Sequence, residues 1–287
     1  MITPSSSNTS ILVLGSSDTG KTHFITQLFG RLRAGTGKLK LRTAPDNFGP
    51  FEAALTRLNQ GLAADHTATA AFHELRLPMA TADGKHFDFV LPDYGGEQVR
   101  AMIDDRRITE EWEQRTQKSN GWLLFLRLGR LNEDRNIVSR PLELMLESHP
   151  QQRPCTPREW SDQTRIIEFL QLLLYARGAS LSNRLSKPIL GVILSCWDEL
   201  DTVSKNQTPE DILRAKLPLL ADFIEANWLR EAGFVLGVSS LERPLDPKKA
   251  DEEFINQGPE QFGYIIEANG NESRDLTRPL VEVLARM

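Results

Sequence analysis

The chain alternates short apolar runs with stretches of helical period. Residues 11–14 are apolar and end at Gly15, and from Lys21 apolar residues recur at helical spacing as far as residue 32. This part of the chain predicts a strand, a tight loop and a helix. Apolar runs that predict further strands lie at 122–126, 188–194 and 234–238. Patterns of helical period that follow these runs lie at 166–175, 212–228 and 276–284.

Residues 72–91 have a different pattern. Apolar residues recur at or near alternate positions over 72–77 and again over 87–91, and Asp83 and Gly84 lie between the two arms. This spacing predicts a β-hairpin. Strands that alternate with helices over most of the length predict an α/β fold, with a mainly parallel sheet covered on both faces and the hairpin as its one antiparallel edge.

The domain organisation also follows from the pattern. Residues 1–10 are rich in serine and are predicted to be a flexible leader, and residues 11–287 are predicted to be a single domain. The stretch 129–162 is rich in Pro, Arg and Glu and matches no core strand. We therefore expect it to be an insertion on that domain.

Composition narrows the class of protein. Apolar residues make up 40% and charged residues 25%, as in soluble globular chains, and no run approaches the roughly 20 apolar residues of a membrane helix. Two cysteines and no apparent signal peptide make the cytoplasm the expected compartment. Lys and Arg total 34 against 39 for Asp and Glu, a net charge of −5, which argues against a nucleic-acid partner.

Residues 15–22, GSSDTGKT, match the phosphate-binding pattern G-x-x-x-x-G-K-[ST] between a predicted strand and a predicted helix. The glycines let successive backbone N–H groups converge on phosphate oxygens at the positive end of the helix. Lys21 would neutralise the outer phosphates, and the Thr22 hydroxyl would bind Mg²⁺. The predicted nucleotide-binding residues are Gly15, Ser16, Ser17, Asp18, Thr19, Gly20, Lys21 and Thr22, with His23 directly after them.

A second acidic position follows the hairpin. The second arm ends at Asp93, and Tyr94, Gly95, Gly96 and Glu97 follow. Asp93 would hold Mg²⁺ through water. The Gly96 N–H would contact a γ-phosphate, a contact that hydrolysis removes, so the segment is predicted to sense the state of the nucleotide.

The base is predicted to be read near two later strand ends. The apolar run 188–194 is followed by Ser195, Cys196, Trp197 and Asp198. A carboxylate at Asp198 can accept from both the N1–H and the 2-amino group of guanine, a donor pair that adenine lacks. After the next strand, Ser239, Ser240 and Leu241 would let backbone N–H groups approach the guanine oxygen, and Trp197 is expected in the core.

The ordered motifs GSSDTGKT, DYGGE, SCWD and SSL resemble those of P-loop GTPases of the translation-factor-related class. More narrowly, they resemble the bacterial double-GTPase family, whose members are thought to work beside a second GTPase in conflict or defence systems. The resemblance implies a three-layer P-loop NTPase (Ras-like GTPase) fold, GTP and GDP as ligands, and Mg²⁺ as cofactor. It also implies a protein partner, either a second GTPase, an activator or an effector, and a switch threonine at Thr67 or Thr69 that closes over Mg²⁺.

Two positions depart from the class. The usual guanine motif is N/T-K-x-D, but Ser195 and Cys196 occupy its first two positions, and Glu97 stands where many members have a glutamine that orients water. The predicted catalytic residues are Lys21, Gly96 and Glu97, with Glu97 accepting a proton from the attacking water. The alternatives are a guanine-nucleotide-binding module with little intrinsic hydrolysis and an ATP-using P-loop protein.

Overall fold

The computed structural model describes residues 8–35, 37–45, 49–64, 73–84, 86–93, 96–131, 161–179 and 183–287. The strands in these ranges are β1 (Asn8–Leu14), β2 (Leu39–Leu41), β3 (His73–Thr81), β4 (His86–Asp93), β5 (Gly121–Arg127), β6 (Ile189–Ser195), β7 (Gly233–Ser239), β8 (Tyr264–Ile266) and β9 (Glu272–Ser273). They form one nine-stranded sheet in the order β2-β3-β4-β1-β5-β6-β7-β8-β9.

The α-helices of the described residues are α1 (Lys21–Ala34), α2 (Gly49–Asn59), α3 (Gly96–Asp105), α4 (Glu110–Lys118), α5 (Asp162–Ala176), α6 (Thr202–Lys205), α7 (Pro209–Lys216), α8 (Pro218–Asn227), α9 (Glu252–Gln257) and α10 (Arg278–Arg286). The helix predicted over 212–228 is in fact two helices. Leu217 separates α7 from α8, because Pro218 has no N–H to continue α7 and instead begins α8 at its first turn.

The centre of the sheet is parallel, as predicted. Strands β4, β1, β5, β6 and β7 all run in the same direction. Consecutive side chains of β5 and β6 are buried, which requires cover on both faces of the sheet. The fold is thus a three-layer α/β fold, with the carboxyl ends of the parallel strands at one edge.

The prediction of a single antiparallel edge hairpin was wrong in its extent. The hairpin is present, since β3 pairs antiparallel with β4, but β2 pairs outside β3. At the opposite side of the sheet, β8 and β9 also pair antiparallel. These three added strands have only three, three and two residues, too few to produce an alternating pattern.

Two predicted boundaries also move. Strand β1 begins at Asn8 rather than residue 11, so the last three residues of the predicted leader pair with β4. They are polar, which hides them from a search for apolar runs. At the predicted insertion, a 3-10 turn at Leu128–Arg130 follows β5 and α5 begins at Asp162. Residues 1–7 of the leader and 132–160 of the insertion lie outside the described ranges.

Helix α1 joins the sheet to the last part of the chain. Its apolar face is buried, and the Phe24 ring lies 5.2 Å from that of Phe125 on β5. The buried amide of Gln27 donates to the carbonyls of Phe262, at 3.1 Å, and Pro259. Buried Arg31 donates to the carbonyls of residues 261, 262 and 263 at 3.1, 3.0 and 3.2 Å.

Within the described ranges, none of the helices has the length and apolar character needed to cross a membrane.

Candidate nucleotide-binding site

The loop between β1 and α1 has a backbone that its two glycines require. Gly15 has φ 144°, and a Cβ there would lie 2.8 Å from the Phe125 carbonyl oxygen and 2.9 Å from Thr19 Oγ1. Gly20 has φ 78° and occupies the N-cap position of α1, where no side-chain hydrogen bond caps the helix. Any larger residue at Gly15 would have to displace β5 or Thr19, so the tight turn depends on glycine.

Lys21 lies inside this loop with only 7% of its surface exposed. Its Nζ donates to the carbonyls of Gly15, at 2.9 Å, and Ser16, at 2.6 Å, and lies 3.3 Å from Thr19 Oγ1. The first turn of α1 contains no acidic residue. The ammonium group and the positive end of the helix therefore concentrate positive charge at the loop.

The two predicted base-reading segments meet in the structure. Strand β6 leads through Cys196 into a 3-10 turn at Trp197–Glu199, and Asp198 Oδ1 accepts a hydrogen bond from Ser239 Oγ at 2.5 Å. Ser239 is fully buried at the end of β7, and its Oγ also accepts from the Glu242 N–H at 3.0 Å. This pair fixes the side chain of Asp198, and the half-buried Ser240 and Leu241 follow directly.

The predicted base-reading turn, residues 196–199, also adjoins the phosphate loop. A Cβ built on Gly20 would lie 3.7 Å from Cys196 Sγ and 3.8 Å from Ser195 Cβ. These are ordinary contact distances, so the end of β6 packs directly against the start of α1. Loops after β1, β6 and β7 thus converge at one edge of the sheet, as expected where parallel strands end.

Trp197 belongs to the core, as expected from the sequence. It is 1% exposed, and a Cβ on Gly237 would lie only 2.4 Å from its ring. Its neighbour Cys196, which occupies the place of the usual lysine, has φ 52°. Burial raises the pKa of the Cys196 thiol to about 12, so it is a neutral group at physiological pH.

Several predicted site residues lie wholly or partly outside the described part of the chain. Asp93 ends β4, which runs parallel to β1, and Gly96 begins α3, so the predicted acid lies at the same edge as the phosphate loop. The side chains of Asp93 and Glu97 are outside what the structure describes. Thr67, Thr69, Tyr94 and Gly95 lie outside the described residues altogether.

His23 makes a contact that sequence reasoning missed. Its Nε2 accepts a hydrogen bond from the Ala64 N–H at 3.0 Å, which requires a neutral ring. Burial, together with the charge of Arg127, lowers the pKa of His23 to about 4. The contact holds the segment just before residues 65–72, which include Thr67 and Thr69, against the phosphate-loop helix.

The same segment is bound from a second side. The Ala63 N–H donates to the Asp246 carbonyl at 3.1 Å, and the Asp251 N–H donates to the Gly61 carbonyl at 3.0 Å. These bonds join residues separated by most of the chain. No local sequence signal marks them.

A cavity of about 570 Å³ opens beside the phosphate loop in the described structure. It is bounded by residues 15–19, by α3, by the end of β5 and by the first turns of α5. Four arginines line it, at positions 100, 127, 130 and 165. The acidic residues Asp18 and Asp162 line it as well, and Arg100, Arg127 and Arg165 each pair with a carboxylate, so the lining carries both signs of charge.

The match to a family model decides the family. The model for double-GTPase 1 matches residues 12–283, nearly the whole chain. The chain belongs to the double-GTPase 1 family. Membership confirms the narrower of the two resemblances seen in the motifs, and it confirms the P-loop GTPase fold for this double-GTPase.

The double-GTPase is also similar to solved structures at low identity. One is the small GTPase Arl6 BBS3 from Trypanosoma brucei with bound GppNp, at 11% identity and a TM-score of 0.36, covering 88% of this chain and 95% of that one. Another is the bacterial selenocysteine-specific elongation factor EF-Sec, at 12% identity and a TM-score of 0.35, covering 81% of this chain and 26% of that one. A third is Methanosarcina barkeri Roco2 RocCORdC bound to GDP, at 14% identity and a TM-score of 0.33, covering 87% of this chain and 47% of that one. No curated protein sequence matches the chain.

Proposed function

We propose that this double-GTPase is a molecular switch that binds GTP and GDP with Mg²⁺ and hydrolyses GTP to GDP and phosphate. The observation that carries the proposal is the meeting of two loops. Gly20 of the phosphate loop packs against Ser195 and Cys196, and Asp198, two residues further on, is fixed by Ser239. A phosphate cradle and a carboxylate thus lie on adjoining loops.

The phosphate loop would hold the polyphosphate through the backbone N–H groups of residues 15–23, with Lys21 as the counter-charge. The half-buried Thr22 offers a hydroxyl and Asp93 a carboxylate, the oxygen ligands that Mg²⁺ prefers, with Thr67 or Thr69 as a further ligand. When bound, Mg²⁺ would neutralise charge on the terminal phosphates. The close packing around Gly15 and the charge at Lys21 support this assignment.

Asp198 would recognise guanine. A carboxylate has about four acceptor positions, so the bond from Ser239 leaves capacity for the N1–H and the 2-amino group of the base. The same bond holds the carboxylate in one orientation, which lowers the entropy cost of binding. Backbone N–H groups of Ser239, Ser240 and Leu241 would approach the guanine oxygen.

Hydrolysis and switching would centre on the start of α3. The Gly96 N–H would contact the γ-phosphate and Glu97 would accept a proton from the attacking water. Because Gly96 is the first residue of α3, loss of this contact after hydrolysis would release the amino end of a ten-residue helix. Glu97 in place of glutamine favours one alternative, a module that binds guanine nucleotide but hydrolyses it little.

The protein partner and the biological role of this switch are also proposals. The resemblance to the double-GTPase family supports a protein partner, which would be a second GTPase, an activator or an effector. It likewise supports a role in a bacterial conflict or defence system. A cytoplasmic location stays a prediction.

The test is a pair of titrations with fluorescent GDP and fluorescent ADP in the presence of Mg²⁺. We expect GDP to bind at least about 100-fold more tightly, a difference of about 2.7 kcal/mol. Equal binding, or preference for ADP, would move the chain to the ATP-using P-loop proteins and overturn the proposal.

Single-turnover loss of GTP then separates a switch from a binding module. We expect slow but measurable hydrolysis that falls when Glu97 is replaced by Gln. Unchanged or faster turnover in Glu97→Gln contradicts the role given to Glu97. Tight binding with no turnover supports the module.

A further inference from the structure

Arg127 lies between the two loops that the proposed function uses. It is the last residue of β5, and β5 lies between β1, which leads into the phosphate loop, and β6, which leads into the base-reading turn. In the sheet register, Arg127 is paired with Ser195. Its side chain therefore starts from the one strand end that adjoins both loops.

The guanidinium group contacts both loops. Nη1 donates to the Asp18 carbonyl of the phosphate loop at 3.2 Å. Nε donates to Glu199 Oε2 at 2.9 Å, and Nη2 pairs with Glu199 Oε1, so the carboxylate is held by both arms of the fork. The two side chains are only 21% and 29% exposed. This hydrogen bonding to Glu199 raises the pKa of Arg127.

Each loop has an unusual backbone at the place where the bridge attaches. Asp18 has φ 61° and Cys196 has φ 52°, both left-handed conformations that residues other than glycine rarely adopt. Glu199 accepts the bridge within the same short turn as Asp198, and its N–H donates to the Cys196 carbonyl at 2.9 Å. Arg127 thus connects two strained loops whose geometry must be maintained by neighbouring groups.

The cysteine at position 196 makes the contacts of Arg127 with the two loops more important. The neutral thiol of Cys196 supplies no charge between the phosphate loop and the base-reading turn, while Arg127 supplies a cation there. An exposed ion pair would contribute little to binding. A two-armed pair whose arginine is half-buried and also binds the phosphate-loop backbone can instead set the distance between the loops.

Resting on the proposed function, we propose that Arg127 is a positioning residue that couples the base-reading turn to the phosphate loop. A guanine held at Asp198 fixes the adjacent Glu199. Glu199 fixes Arg127, and Arg127 fixes the Asp18 carbonyl, so base identity changes the affinity for the phosphates.

The test is a double-mutant cycle on the full chain with Arg127→Gln, Glu199→Gln and the double variant. Binding of GDP, ADP and inorganic tripolyphosphate is measured for each. The matched control is the Arg214 and Glu225 pair, which joins α7 to α8 with an N to O distance of 3.1 Å. Arg214→Gln and Glu225→Gln remove the same chemistry away from the two loops.

We expect each site variant to weaken GDP about tenfold while ADP and tripolyphosphate change less, so that the preference for GDP over ADP falls. The double variant is expected to be no weaker than either single variant, because all three lose the same bridge. Arg127→Lys keeps the charge but lacks the fork, and should lose the same preference. The control pair should leave all three ligands unchanged.

An unchanged ratio of GDP to ADP affinity in Arg127→Gln would overturn the coupling, and so would additive effects in the double variant. Restoration of the ratio by Arg127→Lys would also overturn it, because charge alone would then suffice. These results are distinct from failure of the proposed function. That failure appears in the wild-type chain, as absence of GDP preference before any residue is changed.

Discussion

A single lysine illustrates how one side chain can serve both the loop and its ligand. The Lys21 Nζ donates to two loop carbonyls and would supply the charge for the outer phosphates. We expect Lys21→Ala to weaken GDP at least about 100-fold, since a charge-assisted contact in a partly buried site is lost. Fluorescent GDP titration measures this.

The control for that variant is Lys216→Ala, which removes an exposed lysine at the end of α7. Circular dichroism should show an intact fold in both variants. Full GDP affinity in Lys21→Ala would contradict the assignment of residues 15–22 as the phosphate site.

Replacing Asp198 by Asn removes the charge of the side chain and nearly preserves its shape. Asp198→Asn keeps an Oδ1 that can accept from Ser239 but replaces one carboxylate oxygen with an amide donor, which would oppose the donors of guanine. We expect GDP affinity to fall about 10- to 100-fold while ADP affinity stays the same. Competition binding measures both.

Asp222→Asn, on the exposed surface of α8, is the control. If Asp198→Asn leaves the GDP to ADP ratio at its wild-type value, another group reads the base.

At this scale, the sequence could predict contiguous motifs and the convergence of loops that follow parallel strands, such as those of Asp198 and Ser239, but not individual long-range side-chain contacts. Eight consecutive residues match the phosphate-binding pattern, and in the structure Gly15 and Gly20 have positive φ and Lys21 Nζ donates to two loop carbonyls. Arg127 gives no signal, because its partners Asp18 and Glu199 stand 109 and 72 positions away. The acceptor role of His23 is hidden for the same reason, with Ala64 at a separation of 41.

Among the secondary-structure elements, β7 and α1 offer a matched pair of glycines. A Cβ on Gly237 of β7 would lie 2.4 Å from the buried Trp197 ring, whereas a Cβ on Gly30 of α1 would have nothing within 4 Å. We expect Gly237→Ala to lower the free energy of unfolding by about 1–3 kcal/mol through overpacking. Gly30→Ala should raise it by about 0.5–1 kcal/mol, because alanine favours a helix interior.

Urea unfolding measures the free energy of unfolding of both alanine variants. The two values can be compared directly, because both variants add the same methyl group. Changes of the same sign would show that Trp197 is free to move away. Gly237→Ala should also weaken GDP binding, since Trp197 begins the turn that carries Asp198 and Glu199.

Predictability of elements depended on their length. The seven-residue strands β5, β6 and β7 and the fourteen-residue helix α1 have enough turns or alternations to show a period. The two- and three-residue strands β2, β8 and β9 do not. The break between α7 and α8 was missed although Pro218 marks it, because apolar residues continue at helical spacing on both sides of the proline.

For the whole molecule, a ligand that contacts several loops of the folded sheet stabilises the folded state against unfolding. At 100 times its dissociation constant, GDP with Mg²⁺ should add about 2.7 kcal/mol to the free energy of unfolding and raise the melting temperature by several degrees. ADP at the same concentration should cause little shift. Thermal unfolding followed by circular dichroism tests this, and equal shifts from the two nucleotides would contradict guanine recognition.

Lys21→Ala serves again as the negative control, because its melting temperature should not respond to GDP. A GDP shift that survives in this variant would indicate a second binding mode elsewhere on the chain.

The attachment of α1 to the residues after α9 also has a consequence for the order of synthesis. Gln27 and Arg31 donate to carbonyls that stand 230 to 235 positions later in the chain. On a ribosome that adds about 5–20 residues per second, these acceptors emerge roughly 10 to 50 seconds after the helix itself. The phosphate-loop helix is translated well before these acceptors, but it can take its final place only when they have emerged.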